Sequence, residues 1–206
     1  MTLTLWLGFL LAAILIAVTP GPGAVLSMSV GVRHGYIPAL KAILGLQAAI
    51  LIHLVIVALG LGAIVAASSA AFAAIKLVGV VYLVWLGVQK WRAPVDQQAE
   101  TVVVLHSENL FTQGLLVNLT NPKAIIFIAA LVPQFIDQSQ PIIHQYLIIA
   151  ATLCATDVFV MSIYALVAAK ISNCFFVPSS TQIQNRIFGG LFVLAGVLLA
   201  SASRPN

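Results

Sequence analysis

The sequence predicts an all-α polytopic membrane protein of six transmembrane helices, built as two inverted three-helix repeats in which helices one and four are broken. Three observations predict it. Only 7% of the 206 residues are charged and 62% are hydrophobic, whereas a soluble domain has about 25% charged residues. Apolar runs of about twenty residues, enough to cross a bilayer core, succeed one another along the chain. Two of these runs are interrupted by related polar clusters, Thr19-Pro20-Gly21-Pro22-Gly23 and Asn118-Leu119-Thr120-Asn121-Pro122-Lys123-Ala124, about half a chain apart. A pair of broken hydrophobic helices in corresponding places points to a transporter binding site.

The first span is expected over about Leu3–Ser29. Met1 to Trp6 has no basic segment, so the run reads as a retained span and not as a cleaved leader. Thr19 can cap a resumed half-helix with Pro20 at its first position, where a missing N–H costs nothing. The alternative is a helix end followed by a Pro/Gly turn. Gly31 to Pro38 reads as a polar link. The second span is about Ala39–Ala67 and carries Gln47 and His53 in otherwise apolar surroundings. The third is about Ala70–Gln89, with Tyr82, Trp85 and Trp91 suited to a membrane interface. Ala93–Ser107 is the long polar segment, read as the linker between halves. Glu108–Asn118 is amphipathic and feeds the second break, from which the fourth span runs to Phe135. The fifth is about Ile142–Ala169, with Asp157 inside it, and the sixth about Ile187–Ala202. The chain is thus one integral membrane domain, 1–206: repeat one about 1–92, linker about 93–107, repeat two about 108–206.

The net charge of +4 comes from nine Lys and Arg spread along the chain, so no nucleic-acid surface is expected. Arg33, Lys41, Lys90, Arg92, Lys170 and Arg186 fall on loops one, three and five, or at the helix ends beside them. The positive-inside rule makes that side cytoplasmic and leaves both termini periplasmic. Cys154 and Cys174 have no metal or redox spacing and read as inert. Gln47 and small residues such as Gly31, Gly35, Gly79, Gly87, Gly189, Gly190 and Gly196 read as helix contacts that permit a homodimer.

Free backbone groups at a break inside hydrocarbon must be buried in protein or line a wet cavity. A resumed half-helix offers free N–H groups and a positive dipole end, a seat for a carboxylate. The expected substrate site is therefore Thr19, Pro20, Gly21, Pro22, Asn118, Thr120, Asn121, Pro122 and Lys123. It would take a small zwitterion, its carboxylate toward the half-helix ends and Lys123. Asp157 is the single acid well inside a span and the first candidate for proton coupling; its alternative is a structural acid paired to a neighbouring helix. His53, on the corresponding span of the first half, is the second candidate; its alternative is a hydrogen-bonded packing residue. No cofactor, resident metal or catalytic group is expected.

At these residues the chain resembles the LysE/RhtB superfamily of amino acid exporters, of the homoserine/threonine efflux type. The resemblance rests on Thr19-Pro20-Gly21-Pro22 with the Arg33-x-Gly35 link, and on Asn121-Pro122-Lys123-Ala124 continuing through Phe127 to Pro133-Gln134-Phe135. It covers essentially the whole chain. Where the family commonly has Asn after the second proline, this chain has Gly23, which removes a side-chain amide. The resemblance implies efflux of amino acids or their derivatives across the bacterial inner membrane, driven by the proton gradient. Competing readings are a divalent metal cation exporter, which would need several membrane ligands beside Asp157, and a thiol–disulfide carrier, which would need cysteines near the breaks. An intramembrane protease would need a second acid inside a span or an HExxH helix, and the expected spans offer neither.

Overall fold

The computed structural model describes residues 1–67, 109–137 and 139–170, with isolated helical positions between 77 and 92 and between 186 and 197. The expected spans three and six and the linker fall almost wholly outside the described residues. Among the described residues there are six α-helices, one short 3-10 helix and no strand. They are α1 (Leu3–Val18), α2 (Pro22–His34), α3 (Tyr36–Ala67), α4 (Leu110–Leu119), α5 (Pro122–Leu131), the 3-10 turn Val132–Phe135, and α6 (Ile142–Lys170).

Among the described residues two helices are long and apolar enough to cross a membrane: α3, through Tyr36–Gly60, and α6. The pairs α1–α2 and α4–α5 are each bent spans, by 54° and 57°, so up to four crossings are described. The breaks fall where the two polar clusters stand, but the first is built differently from expectation. Thr19 closes α1 and does not open α2: its N–H and hydroxyl both donate to Leu15 O, at 3.2 and 2.7 Å. Gly21 is the N-cap of α2 and Pro22 its first residue, because Pro22 lacks only an N–H that a first turn leaves free.

The Gly31–Pro38 stretch is also shorter as a link than expected. Helix α2 runs to His34, and Gly35 alone separates it from α3. Gly35 has φ +83°, a left-handed conformation that a glycine adopts without a Cβ clash. Pro38 lies in the first turn of α3, where its missing N–H breaks nothing. The α6 boundaries agree with the expected fifth span to a residue.

Two apolar clusters hold the helices. Phe9 and Ala13 of α1 pack with Ile50 and Leu54 of α3, Phe127, Ile128 and Leu131 of α5, and Ile149 and Leu153 of α6. Ala24, Leu26 and Val30 of α2 pack with Ala39 to Leu46 of α3, Leu110 of α4, and Val160, Met161 and Ala165 of α6. Glycines bring backbones together in the second cluster. A Cβ on Gly31 would meet Ala165 O; one on Gly45 would meet Phe111 O; one on Gly114 would meet Ala42 O. These small-residue contacts are used within one chain, α2 on α6 and α4 on α3. After α5, the loop at Asp137 is fastened by Gln145, whose side chain accepts from Asp137 N at 2.9 Å and donates to Asp137 O at 2.7 Å. The Ser139 hydroxyl and N–H donate to Asp137 Oδ1, which holds that exposed carboxyl below the usual carboxylate range.

Candidate functional site

Chain breaks inside an apolar bundle leave carbonyls at one helix end and N–H groups at the next. At the first break the carbonyls are taken by side chains from the other half of the chain. Lys123 Nζ donates to Thr19 O at 2.6 Å and to Ile16 O at 2.9 Å. Tyr164 Oη donates to Val18 O at 2.6 Å. A cation at a helix C-terminus also meets the negative end of the dipole. Lys123 can come this close because Gly21 has no side chain; a Cβ there would stand 3.3 Å from Nζ.

The second break is closed mainly by its own residues. Thr120 N–H and hydroxyl donate back to Leu116 O at 3.1 and 2.9 Å. Asn121 is the N-cap of α5, its Oδ1 accepting from Lys123 N at 3.0 Å, and its Nδ2 donates to Asn118 Oδ1 at 3.1 Å. Asn118 Nδ2 reaches across to Leu46 O of α3 at 2.9 Å. His53 of α3 places Nε2 3.3 Å from Leu119 O, the last carbonyl of α4, and donates there in the tautomer protonated at Nε2.

The two breaks meet at a cavity of about 50 Å³. Its polar wall is Asn118, Asn121, Lys123 and Asp157, and Gly21 and Gly23 bring the start of α2 to its edge. Its apolar wall comes from both clusters, with Phe127 and Leu153 on one side and Leu46 and Met161 on the other. A water needs roughly 10–15 Å³ on this scale, so a few waters fit. An amino acid needs the walls to part. Asp157 stands in the middle of α6, and its Oδ2 accepts from Gln47 Nε2 of α3 at 2.6 Å.

The family model of the LysE type translocator matches residues 14–203. This chain belongs to the LysE type translocator family. A homoserine/homoserine lactone efflux protein of Salmonella typhimurium is 43% identical over 203 residues, 98% of either chain. An uncharacterized membrane protein of Vibrio cholerae is 41% identical over 203 residues, 98% of this chain and 99% of its own. A leucine efflux protein of Salmonella choleraesuis is 30% identical over 203 residues, 94% of this chain and 93% of its own. No solved structure matches the chain. Membership places it among translocators and not among enzymes.

Of the site residues expected from sequence, this translocator brings Gly21, Asn118, Asn121, Lys123 and Asp157 together around the cavity. Thr19 is buried behind it and takes part through its carbonyl. Pro20, Pro22 and Pro122 shape the breaks and do not line the cavity. Thr120 is exposed, its hydroxyl spent on Leu116 O. His53 is buried against Leu119 O, outside the lining. Two partners were not expected from sequence. Gln47, read as a helix contact, holds Asp157; Tyr164, which the sequence does not single out, holds Val18 O. A signal existed for both, since a buried amide or phenol in an apolar helix must find a partner. Among the described residues no group of three or more His, Cys, Asp or Glu could hold a metal. Cys154 is a half-buried free thiol on α6 outside the cavity lining, and Cys174 lies outside the described residues.

Proposed function

We propose that this chain is a secondary transporter of the bacterial inner membrane that exports small amino acids or their derivatives in exchange for protons. The observation that carries the reading is the cavity where the two helix breaks meet, lined by one acid, one cation and two amides. The names of the relatives, efflux proteins for homoserine, homoserine lactone and leucine, supply the substrate class.

The substrate carboxylate is assigned to the start of α2, at Gly23 and Ala24, where no side chain caps the N-terminal N–H groups. Its ammonium is assigned to Asp157. The apolar wall takes a short side chain. Lys123 and Asp157 share the cavity wall, so a carboxylate entering at α2 competes with the α1 carbonyls for Lys123. An ammonium and a proton compete for Asp157, and that competition is the exchange. Alternating access then amounts to the two halves, 1–92 and 108–206, rocking about the breaks near the bilayer midplane, with both termini periplasmic.

The test is efflux of radiolabelled amino acids, with homoserine and leucine first, from preloaded cells and inverted vesicles. Wild type should move one class against its gradient, and an uncoupler should stop it. Asp157→Asn should lose uphill export and keep at most a weakened exchange, since the ammonium loses its charged partner. Uphill, uncoupler-sensitive export by Asp157→Asn at the wild-type rate would remove Asp157 from the coupling role and turn attention to His53.

A further inference from the structure

Gln47 is 6% exposed and lies on α3 beside the cavity. Its Nε2 donates to Asp157 Oδ2 at 2.6 Å and to Ile43 O at 3.3 Å. Its Oε1 is buried and has no partner among the described residues. Native interiors pair almost every buried polar atom, so an orphaned amide carbonyl asks for a reason.

The chemistry of the pair supplies one. An ionised carboxylate only accepts hydrogen bonds, so it selects the NH2 side of an amide. A protonated carboxyl also donates, and of the two amide atoms only the carbonyl oxygen can accept that O–H. The terminal torsion of a glutamine is broad and nearly two-fold, so one rotation exchanges the two. With the carboxylate, Oε1 stands idle, as observed. With the acid, the Asp157 O–H donates to Oε1, and Nε2 gives up both the carboxylate and Ile43 O. Each state leaves one amide atom unpaired, so neither is locked. The charged and titratable groups facing Asp157 are few. Lys123 of α5 lines the same cavity, and Cys154 lies one turn back on α6. The α1 and α2 residues of the lining carry none, and α3 presents the Gln47 amide.

A second observation ties the amide to the breaks. The peptide carbonyl just before Gln47, Leu46 O, accepts from Asn118 Nδ2. Asn118 Oδ1 accepts from Asn121 Nδ2, and Asn121 Oδ1 from Lys123 N. Lys123 Nζ then donates to Thr19 O and Ile16 O. A continuous run of hydrogen bonds thus leads from the turn of α3 that carries Gln47, across the second break, to the first.

We propose that Gln47 is the positioning residue of proton coupling: its amide offers N–H to the Asp157 carboxylate and its carbonyl to the Asp157 acid, and the turn of α3 that carries it passes the difference to the helix breaks through Leu46 and Asn118. The proposal rests on reading Asp157 as the coupling acid. The proton comes from and returns to water, and no other co-reactant takes part.

The experiment uses the full-length protein in proteoliposomes with radiolabelled homoserine and leucine as probes. Two rates are measured: counterflow exchange without a pH gradient, across a range of pH, and uptake driven by a pH gradient. In Gln47→Met, gradient-driven uptake should fall about tenfold or more, well beyond any fall in counterflow, and the pH profile of exchange should be displaced. Gln47→Met in an Asp157→Asn background should add nothing to Asp157→Asn alone, since the amide acts through the acid. Gln47→Asn keeps a buried amide but falls a methylene short of Asp157; it should behave as Gln47→Met does, and it decides the matter if the Met variant does not fold. Wild-type gradient-driven uptake in these variants overturns the proposal. So does an equal fall in both rates with an unmoved pH profile, the mark of a packing role. An additive loss in the double variant overturns it as well. Wild-type gradient-driven uptake by Asp157→Asn overturns the reading of Asp157 itself, and the proposal with it.

Discussion

The two helix breaks bend by nearly the same angle, 54° and 57°, yet they are held together by opposite means. The first is closed from outside. The carbonyls of Ile16, Val18 and Thr19 rest on Lys123 and Tyr164, which stand more than a hundred residues away in sequence. Its resuming helix has no side-chain cap. The second is closed from within, by Thr120, Asn121 and Asn118, with Leu46 and His53 of α3 at its flanks. A break closed by distant side chains comes apart when the halves separate; a break closed locally keeps its shape. On the proposed exchange, the first is the break expected to move and the second the frame it moves against.

The sharpest way to break this comparison is Lys123→Met. It removes the ammonium and leaves the part-buried carbonyls of Ile16 and Thr19 without it. Losing a charge-assisted pair of bonds costs about 2–3 kcal/mol. We expect export to be lost and thermal stability in detergent to fall by that order. A variant that melts with wild type would show that the cross-brace contributes nothing to the fold. Lys123→Arg tests geometry against charge: its planar fork is bulkier at the end and meets Gly21, so it should recover stability only in part.

Next in size are the glycine contacts that set each half-helix on its partner. Gly114→Ala would drive a methyl into the Ala42 carbonyl, and Gly31→Ala one into the Ala165 carbonyl. Overpacking of this kind costs about 1–3 kcal/mol. The Gly114 variant should lose more, because α4 lies closer on α3 than α2 does on α6. Detergent melting of the two purified variants checks the order. Equal losses would mean that the frame around the second break is no tighter than the mobile side.

Much of this was legible in the sequence, and the limits have physical causes. Proline and glycine inside apolar runs mark breaks wherever they occur, so both breaks were visible, as was Asp157 as the lone deep acid. Which way Lys123 points was not visible. A flexible four-carbon stem reaches a substrate carboxylate and a helix end equally well, and only the fold, which brings the start of α5 to the end of α1, selects the latter. Thr19 posed the same problem in smaller form. A threonine beside a proline caps either neighbour, and it turned back because Pro22, not Pro20, begins α2. Gln47 and Tyr164 were hidden for a different reason. A single polar residue in a long apolar helix says that a partner exists, but the partner is on another helix, and periodicity carries no information about which helices face each other.

Smaller effects separate the breaks more cleanly than large ones, since each touches one break only. Tyr164→Phe removes the donor to Val18 O, and Asn121→Ala removes the cap of α5; each should cost about 1 kcal/mol. Amide hydrogen exchange should tell them apart. Tyr164→Phe should speed exchange at Gly21 to Val25 and leave Lys123 to Phe127 as in wild type, and Asn121→Ala should do the reverse. Exchange that rises at both breaks in both variants would mean that they open as one unit, and the division into a moving and a fixed break would go.

The smallest effect comes from the matched threonines. Thr19 and Thr120 each end a half-helix and each return a hydroxyl to the carbonyl four residues back, at 2.7 and 2.9 Å. In both cases the backbone N–H of the same residue already serves that carbonyl. Valine keeps the branched shape and removes only the hydroxyl. Thr120 is exposed, so its valine variant should fall within about 0.5 kcal/mol of wild type. Thr19 is 2% exposed and presses its carbonyl on Lys123. The valine there should cost about 1 kcal/mol, because the hydroxyl fixes the peptide plane that Lys123 binds. If the two variants melt alike, the first break gains nothing from its own residues and is held by Lys123 and Tyr164 alone.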